Sequence, residues 1–524
     1  MSTASLGRRE RLLDRPDVGA AAAMLRDTRQ IFRLWPTSFG FKISAWLGKV
    51  VAIRCLGTLP KEQKAAALAA YGLADVAVNC MGRSAYYCAT DAIATFASQA
   101  YGAAKWGMVG ETAQRAFVVV LLTLYFPCLI LWTFAEPILR SLHQPESVVT
   151  LAASYGRLRT RLLVFALANS VLLKTLNAVG RPAPAVIASM LAAALAVPLG
   201  WLLIVHYDLG VVGAAYHATA LEAVACAIYV IGALASPAVR RCALFKPSVR
   251  AFRGWRAYLR VALPAFATLM VEMVAWELLE FPAGLCRPTP EAALGAYAIL
   301  YNIVYLAEAP AFGLGGGAAS VVGNAMGAGD ALRACRAAQL TLIIALATAT
   351  LVTLLLLVLV LYADALSWYQ ADSETVHLAR TLLPELCVCV FAASIGWPLS
   401  GIIAGAGRQK SSWPVSLVAY FVVGFPYGVT VAFVGPHIGF RGLFQGITVG
   451  TVGSALGLAA LSFGHPRLPC AVDWHSAAAA AQARTSHAAT PDSRNAAINE
   501  SLPDDRPRSR TACPDILDAG TAID

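Results

Sequence analysis

The sequence predicts an all-α integral membrane protein of about twelve transmembrane helices, arranged as two parallel-repeat six-helix bundles. Three observations carry that expectation. First, 58% of the 524 residues are hydrophobic, only 14% are charged, and the mean hydropathy is +0.63, whereas a soluble domain carries roughly a quarter charged residues. Second, apolar runs able to cross about 30 Å of hydrocarbon at about 1.5 Å per residue recur along the chain. Those at 116–134, 340–362 and 411–433 contain no Asp, Glu, Lys or Arg. Their unbroken apolar length, without two-residue alternation, indicates spanning helices rather than barrel strands. Third, three short motifs occur twice in the same order: Gln99-Ala-Tyr-Gly-Ala103 and Asn324-Ala-Met-Gly-Ala328, Asn177-Ala-Val-Gly-Arg181 and Ala404-Gly-Ala-Gly-Arg408, Leu209-Gly-Val-Val-Gly213 and Ile438-Gly-Phe-Arg-Gly442. The pairs Gly102/Gly327, Gly180/Gly407 and Gly213/Gly442 are separated by 225, 227 and 229 residues. A repeat of six spans preserves orientation, so the two halves are related by an axis along the membrane normal and leave a cleft between them.

Apolar runs and Gly/Pro breaks put the spans near 34–56, 66–98, 114–134, 153–178, 184–206, 210–235, 258–284, 293–322, 336–362, 377–404, 412–434 and 439–463. The first is the most polar, because Lys42, Lys49 and Arg54 would each cost about 2.5–3.5 kcal/mol at a helix centre unless they reach the interface or face a cavity. The organisation follows: a cytosolic N-terminal tail at 1–30, an N-terminal lobe at 31–238, a basic linker at 239–256, a C-terminal lobe at 257–464 and a tail at 465–524. Beyond His465 the sequence is Ala, Ser, Asp, Arg and Pro without periodicity, so the tail is expected to be disordered, and its removal to leave folding and transport nearly unchanged.

The formal charge of +11 reflects topology rather than nucleic-acid binding. Arg240, Arg241, Lys246, Arg250, Arg253, Arg256 and Arg260 crowd the linker, and Arg333/Arg336 and Arg408/Lys410 lie in loops on the same side if the spans alternate. By the positive-inside rule that side is the cytosol, which places both termini there; the acidic connection with Asp364, Asp372 and Glu374 falls opposite. Asn499 heads a glycosylation sequon in form only. The twelve cysteines show no disulfide or zinc spacing, and no cleavable signal peptide opens the chain.

Carboxylates inside spans are costly and therefore functional candidates. Glu272, Glu277 and Glu280 share the seventh span. At 100° per residue Glu272 and Glu277 point about 140° apart, Glu272 and Glu280 about 80° apart. Glu272 is deepest, and a carboxyl in an apolar wall can exchange a proton near neutral pH; Glu280, by Pro282, suits the headgroup region. Asp91 and Glu308 are further candidates for ion or solute contact, or for paired structural roles, and Tyr301 and Asn302 for hydrogen bonds in the same cavity. Gly313-Leu-Gly-Gly-Gly317 lacks the preceding strand and the Gly-Lys-Ser/Thr of a nucleotide loop; with Pro310 it instead weakens a helix that must bend. No catalytic triad, metal cluster or cofactor motif is evident, so no enzyme, cofactor or metal is expected.

Gln99-Ala-Tyr-Gly-Ala103, Phe252-Arg-Gly-Trp-Arg256, Glu272 through Glu277, Val322-Gly-Asn-Ala-Met-Gly-Ala-Gly-Asp330, Gly405-Ala-Gly-Arg-Gln-Lys410 and Tyr420-Phe-Val-Val-Gly-Phe-Pro426 together resemble the multidrug and toxic compound extrusion (MATE) transporters, particularly the eukaryotic branch, over about 35–463. The resemblance implies a monomeric twelve-helix exporter that exchanges a small organic solute for a cation, protons in preference to sodium, in the plasma membrane or an endomembrane such as the vacuole. By position it assigns Glu272 to the seventh-helix glutamate of cation coupling, Glu277 to a second family acid, and Thr95 and Gln99 to the second-helix motif. The chain departs where family acids are replaced by Ala94, Asn302 and Ala393; Asp91 lies on nearly the same face as Ala94. Two rival readings are a lipid-linked or glycan-lipid flippase, favoured by a cationic cleft of Lys42, Lys49 and Arg54, and a transport-inactive scaffold.

Overall fold

The computed structural model describes residues 16–141, 145–286, 290–362, 366, 373–435, 437–464 and 472–486. Asp364, Asp372 and Asn499 lie outside them, as does the side chain of Glu280. Among the described residues, nine helices are long and apolar enough to cross a membrane, and two bent helix pairs raise the number to eleven. The remaining crossing of the bundle is Pro16–Leu56, a 41-residue helix whose charges, as the sequence indicated, keep it from standing out by hydropathy.

The other spans follow in order: the second at Glu62–Gly102, the third at Trp106–Thr133, the fourth at Glu146–Leu162 with Val164–Ala178, the fifth at Ala183–His206, the sixth at Gly210–Ala235 and the seventh at Trp255–Leu278. The eighth is Glu291–Ala307 with Ala309–Gly327, the ninth Ala331–Leu361, the tenth Leu383–Ala406, the eleventh Gln409–Val434 and the twelfth Phe440–Phe463. The eighth span bends by 41° between its halves, at Glu308 and just before Pro310, whose ring cannot continue the helical hydrogen bonding. The neighbouring glycines serve close approach instead: a Cβ on Gly313 would stand 2.8 Å from the Trp35 ring, and one on Gly315 2.6 Å from the Trp397 carbonyl oxygen.

Each lobe has its own apolar core. Tyr86, Tyr155 and Tyr229 are fully buried in the N-terminal lobe, and Phe444, Leu386 and Val390 in the C-terminal lobe. The first helix belongs to both. Its later turns, through Ala52 and Leu56, lie in the first core, whereas Ile31 and Leu34 pack with Leu314, Ala318 and Val321 of the eighth span. It starts about eighteen residues earlier than the sequence reading, because Asp27 is buried and held by Arg333 at 2.6–3.1 Å.

The basic linker lies against the third span. Gln114 donates to the carbonyls of Leu244 (2.9 Å) and Lys246 (2.7 Å), and Arg115 to those of Arg250 and Arg253 (2.9 Å each). Two expectations need correction. The tail is not wholly irregular: Trp474–Ser486 is a helix, and Val472, Trp474, Ala477, Ala478 and Ala481 are buried in the second lobe's core against Leu458 and Leu461. Alanine has no bulky side chain to mark a helical stripe, yet lets the helix sit close to its neighbours. Cys335 is disulfide-bonded, although cysteine spacing gave no sign of it.

Candidate functional site

The cavities between the lobes are bordered mostly by aromatic, charged and small side chains. Three cavities lie in sequence along the first helix. The one nearest the linker end, of about 50 Å³, is bounded by Ser38, Asp91, Lys174, Asn177 and Ser320. Next comes a cavity of about 120 Å³ between the lobes, bounded by Lys42, Arg83, Glu272, Tyr301, Tyr305 and Glu308 among others. A third, of about 90 Å³, extends into the N-terminal lobe among Lys49, Asp75, Arg83, Arg159 and Glu222. Tyr87, Leu269, Phe312 and Trp397 border both of the first two. Their rings form a layer from one lobe to the other: Phe41 to Tyr87 at 6.0 Å, Tyr87 to Phe312 at 5.3 Å and Phe312 to Trp397 at 5.0 Å between centroids.

Most charges in these cavities are matched. Lys42 pairs with Glu308 across the lobe boundary, with side chains only 6% and 11% exposed. Trp397 Nε1 donates to the second Glu308 oxygen at 2.9 Å, and the Lys42 ammonium lies 4.4 Å from the Tyr305 ring centroid. Lys174 donates to Asp91 at 3.0 Å and to the Tyr87 carbonyl at 2.6 Å, standing 3.8 Å from the Tyr87 ring centroid. In the first lobe Lys49 lies 3.3 Å from Asp75, which also accepts from Tyr155 at 2.8 Å, and Arg159 pairs with Glu222. Burying such charges is tolerable only because each has its counter-ion.

Glu272 is the exception among the carboxylates. It borders the inter-lobe cavity and a smaller one of about 20 Å³ behind it, where Ala393 faces the hydroxyls of Thr268, Ser416, Tyr420, Thr451 and Ser454. It feels the charges of Glu308 and Lys42, but among the described residues none forms an ion pair or hydrogen bond with it.

The structure therefore separates the sequence candidates. It brings Glu272, Glu308 and Tyr301 to one cavity and Asp91 to the adjoining one. Glu277 turns to the Cys80 thiol of the second span. Asn302 does not join the cavity: its side-chain amide donates to the Ala298 carbonyl one turn back, at 2.8 Å. Thr95 and Gln99 lie in a seam that closes the linker end. Thr95 donates to the Ala404 carbonyl at 2.7 Å and Gln99 to that of Gly405 at 2.9 Å.

The duplicated glycine motifs meet in the same seam. A Cβ on Gly102 would collide with the Asn324 carbonyl and stand 2.8 Å from its Cα; one on Gly327 would collide with the Gln99 carbonyl, 2.7 Å from its Cα. Sequence reasoning missed Asp75, Arg83, Arg159, Lys174 and Glu222. Asp75 and Arg83 share the second span and Arg159 and Lys174 the fourth, and the only sequence signal was charge within runs otherwise largely apolar.

Two six-helix lobes with charged and aromatic side chains gathered in a cleft between them define a membrane transporter. The chain belongs to the MatE family, whose sequence model matches residues 43–202 and 264–430. It is 30% identical over 417 residues to Protein DETOXIFICATION 16 of Arabidopsis thaliana, covering 78% of this chain and 82% of that one. To Multidrug and toxin extrusion protein 1 of Homo sapiens it is 26% identical over 435 residues, covering 83% and 74%. Its fold matches the crystal structure of the eukaryotic MATE transporter AtDTX14 with a TM-score of 0.80 at 22% identity, over 88% of this chain and all of the other.

Proposed function

We propose that the chain is a secondary active exporter that exchanges small organic solutes for protons, with Glu272 as the coupling group. The observation that carries this reading is the asymmetry of the cavity charges. Glu308, Asp91, Asp75 and Glu222 each have a cation at hand, whereas Glu272 borders the inter-lobe cavity with no ion-pair partner among the described residues. A carboxyl so placed can alternate between a proton and a bound solute. Because one lobe arrangement favours each form, proton uptake on one side drives solute release on the other. The relatives' names, which refer to detoxification and to multidrug and toxin extrusion, support export of diverse organic compounds.

The excess of Lys and Arg in the linker supports a cytosolic side for that end of the bundle and for both chain termini, in a plasma or endomembrane. The flippase reading loses its support, since Lys42 and Lys49 are neutralised by Glu308 and Asp75 and Arg54 is exposed. In proteoliposomes under an imposed pH gradient, Glu272→Gln keeps shape and hydrogen-bonding capacity but cannot ionise. It is expected to bind solute and lose at least about tenfold of gradient-driven flux, equivalent to about 1.4 kcal/mol of coupling. Wild-type flux in this variant would assign coupling elsewhere.

A further inference from the structure

Among the cations bordering the cleft, Lys42, Lys49, Arg159 and Lys174 each have a carboxylate within ion-pair distance. Arg83 does not. It sits on a π-helical turn, Asn79–Ser84, that interrupts the second span, and such turns re-aim side chains at functional sites. Its Nε donates to Asn79 Oδ1 at 3.1 Å, which fixes the base of the guanidinium. Both terminal nitrogens lack a hydrogen-bond partner among the described residues, and Arg83 borders the inter-lobe cavity as well as the N-terminal one.

The N-terminal cavity holds Lys49, Arg83 and Arg159 against Asp75 and Glu222, which leaves one positive charge. Glu272 borders the same inter-lobe cavity, as do the rings of Phe41, Tyr87, Trp276, Tyr301 and Tyr305. A cleft with a free guanidinium fork on one lobe, a free carboxylate on the other and aromatic faces along it is complementary to one kind of molecule. The fork matches a carboxylate in a way that a point charge does not.

We infer that Arg83 is the residue that selects the solute, and that it holds a carboxylate of an aromatic zwitterion whose cationic nitrogen lies toward Glu272. The inference rests on the exporter reading above and sharpens it. Proton and cationic nitrogen then compete at Glu272, while Arg83 contributes affinity without taking part in coupling. A solute lacking the carboxylate leaves the guanidinium without its partner and loses affinity.

The test uses two dyes of nearly one shape: rhodamine B, which carries a carboxylate and a delocalised cation, and rhodamine 6G, whose carboxylate is esterified. Binding is read by dye anisotropy on the purified full-length protein in detergent, and transport by pH-driven dye flux in liposomes. Wild type is expected to bind rhodamine B about tenfold more tightly than rhodamine 6G, the order of one charge-assisted hydrogen-bonded contact. Arg83→Gln should erase that preference while leaving rhodamine 6G within about twofold, and Arg83→Lys should retain part of it. Unfolding temperature and gel-filtration profile report whether each variant is folded; if the Gln variant is not, the Lys variant decides by the same preference ratio. An unchanged ratio in the folded variants, or equal weakening of both dyes, overturns the assignment. If wild type moves rhodamine 6G in exchange for protons and ignores rhodamine B, the Arg83 inference falls while the exporter reading stands; if it moves neither dye under any gradient, the exporter reading falls as well.

Discussion

Lys42 illustrates how a charge that looks misplaced in a span acquires a reason from its neighbour. It is buried with Glu308, and the two carry opposite lobes' ends of one ion pair. Removing one member leaves the other buried and uncompensated, which costs about 3–5 kcal/mol, whereas replacing both by apolar groups of similar size is often close to neutral. Lys42→Met and Glu308→Gln are therefore each expected to lower the unfolding temperature in detergent, and the double substitution to recover most of the loss; additive losses would show that the pair does not act as a unit. The same logic separates what the sequence could disclose here from what it could not. Glu272 and Glu308 were visible because a carboxylate stands out in an apolar run. Their difference was not, since it depends on which cation another span brings within reach: Lys42 from the first helix meets Glu308 and leaves Glu272 free. Arg83 was hidden for the same reason. Only the fold shows that Lys49 of the first helix pairs with Asp75, so that among the described residues Arg83 has no carboxylate within ion-pair distance.

At the scale of elements the helix Trp474–Ser486 joins parts that the sequence keeps far apart. Its apolar residues pack on the second lobe, and Val472 N–H donates to the Leu461 carbonyl at 2.8 Å. At its far end Arg484 Nε donates at 3.1 Å to Gln99 of the first lobe, so the helix bridges both lobes across the closed seam. Burial and the nearby Arg408 push the Arg484 guanidinium down to about 10, which still leaves it charged at neutral pH beside a second arginine. The bridge is thus strong on its apolar side and weak on its charged side, as a contact that must release during a transport cycle would need to be. Truncation after Pro469 exposes the buried face of the second lobe and removes the Gln99 contact. The shortened protein is expected to unfold at lower temperature, as loss of one large buried aromatic side chain alone corresponds to about 3–5 kcal/mol, and to hold its linker end open for a larger share of the time. Unfolding and flux indistinguishable from full length would restore the expectation of a dispensable tail. The sequence concealed this helix because its pattern is five alanines in a row, Ala477 to Ala481, which carry helical propensity without amphipathic contrast.

For the whole molecule the repeat supplies both the architecture and the place where it must move. Six spans per lobe, and therefore parallel halves, followed from paired glycine motifs at near-constant separation. What those motifs do became clear only in three dimensions, where Gly102 and Gly327 each meet the backbone of the other lobe's motif. A symmetric seam of this kind brings the lobes into backbone contact at the linker end. Alternating access requires it to part, because Thr95, Gln99 and the glycine motifs hold the two lobes in direct backbone contact at that end. Gly102→Val places a side chain where the Asn324 backbone already lies, so the closed arrangement is penalised while an arrangement with the lobes apart is not. Equilibrium then shifts by the difference in free energy between the two. Ser320 provides the reporter: it is 2% exposed, borders the cavity nearest the seam, and replacing it by cysteine changes little in volume. On a background with the accessible native thiols replaced, Ser320→Cys is expected to react slowly with a water-soluble maleimide in the otherwise unaltered protein and at least about tenfold faster when Gly102→Val is added, corresponding to a shift of about 1.4 kcal/mol toward the open seam. Gly107→Val, at a glycine with nothing within 4 Å of its would-be Cβ, is the matched control and should leave the rate unchanged. Equal protection of Ser320→Cys with and without Gly102→Val would mean that the lobes do not separate along this seam.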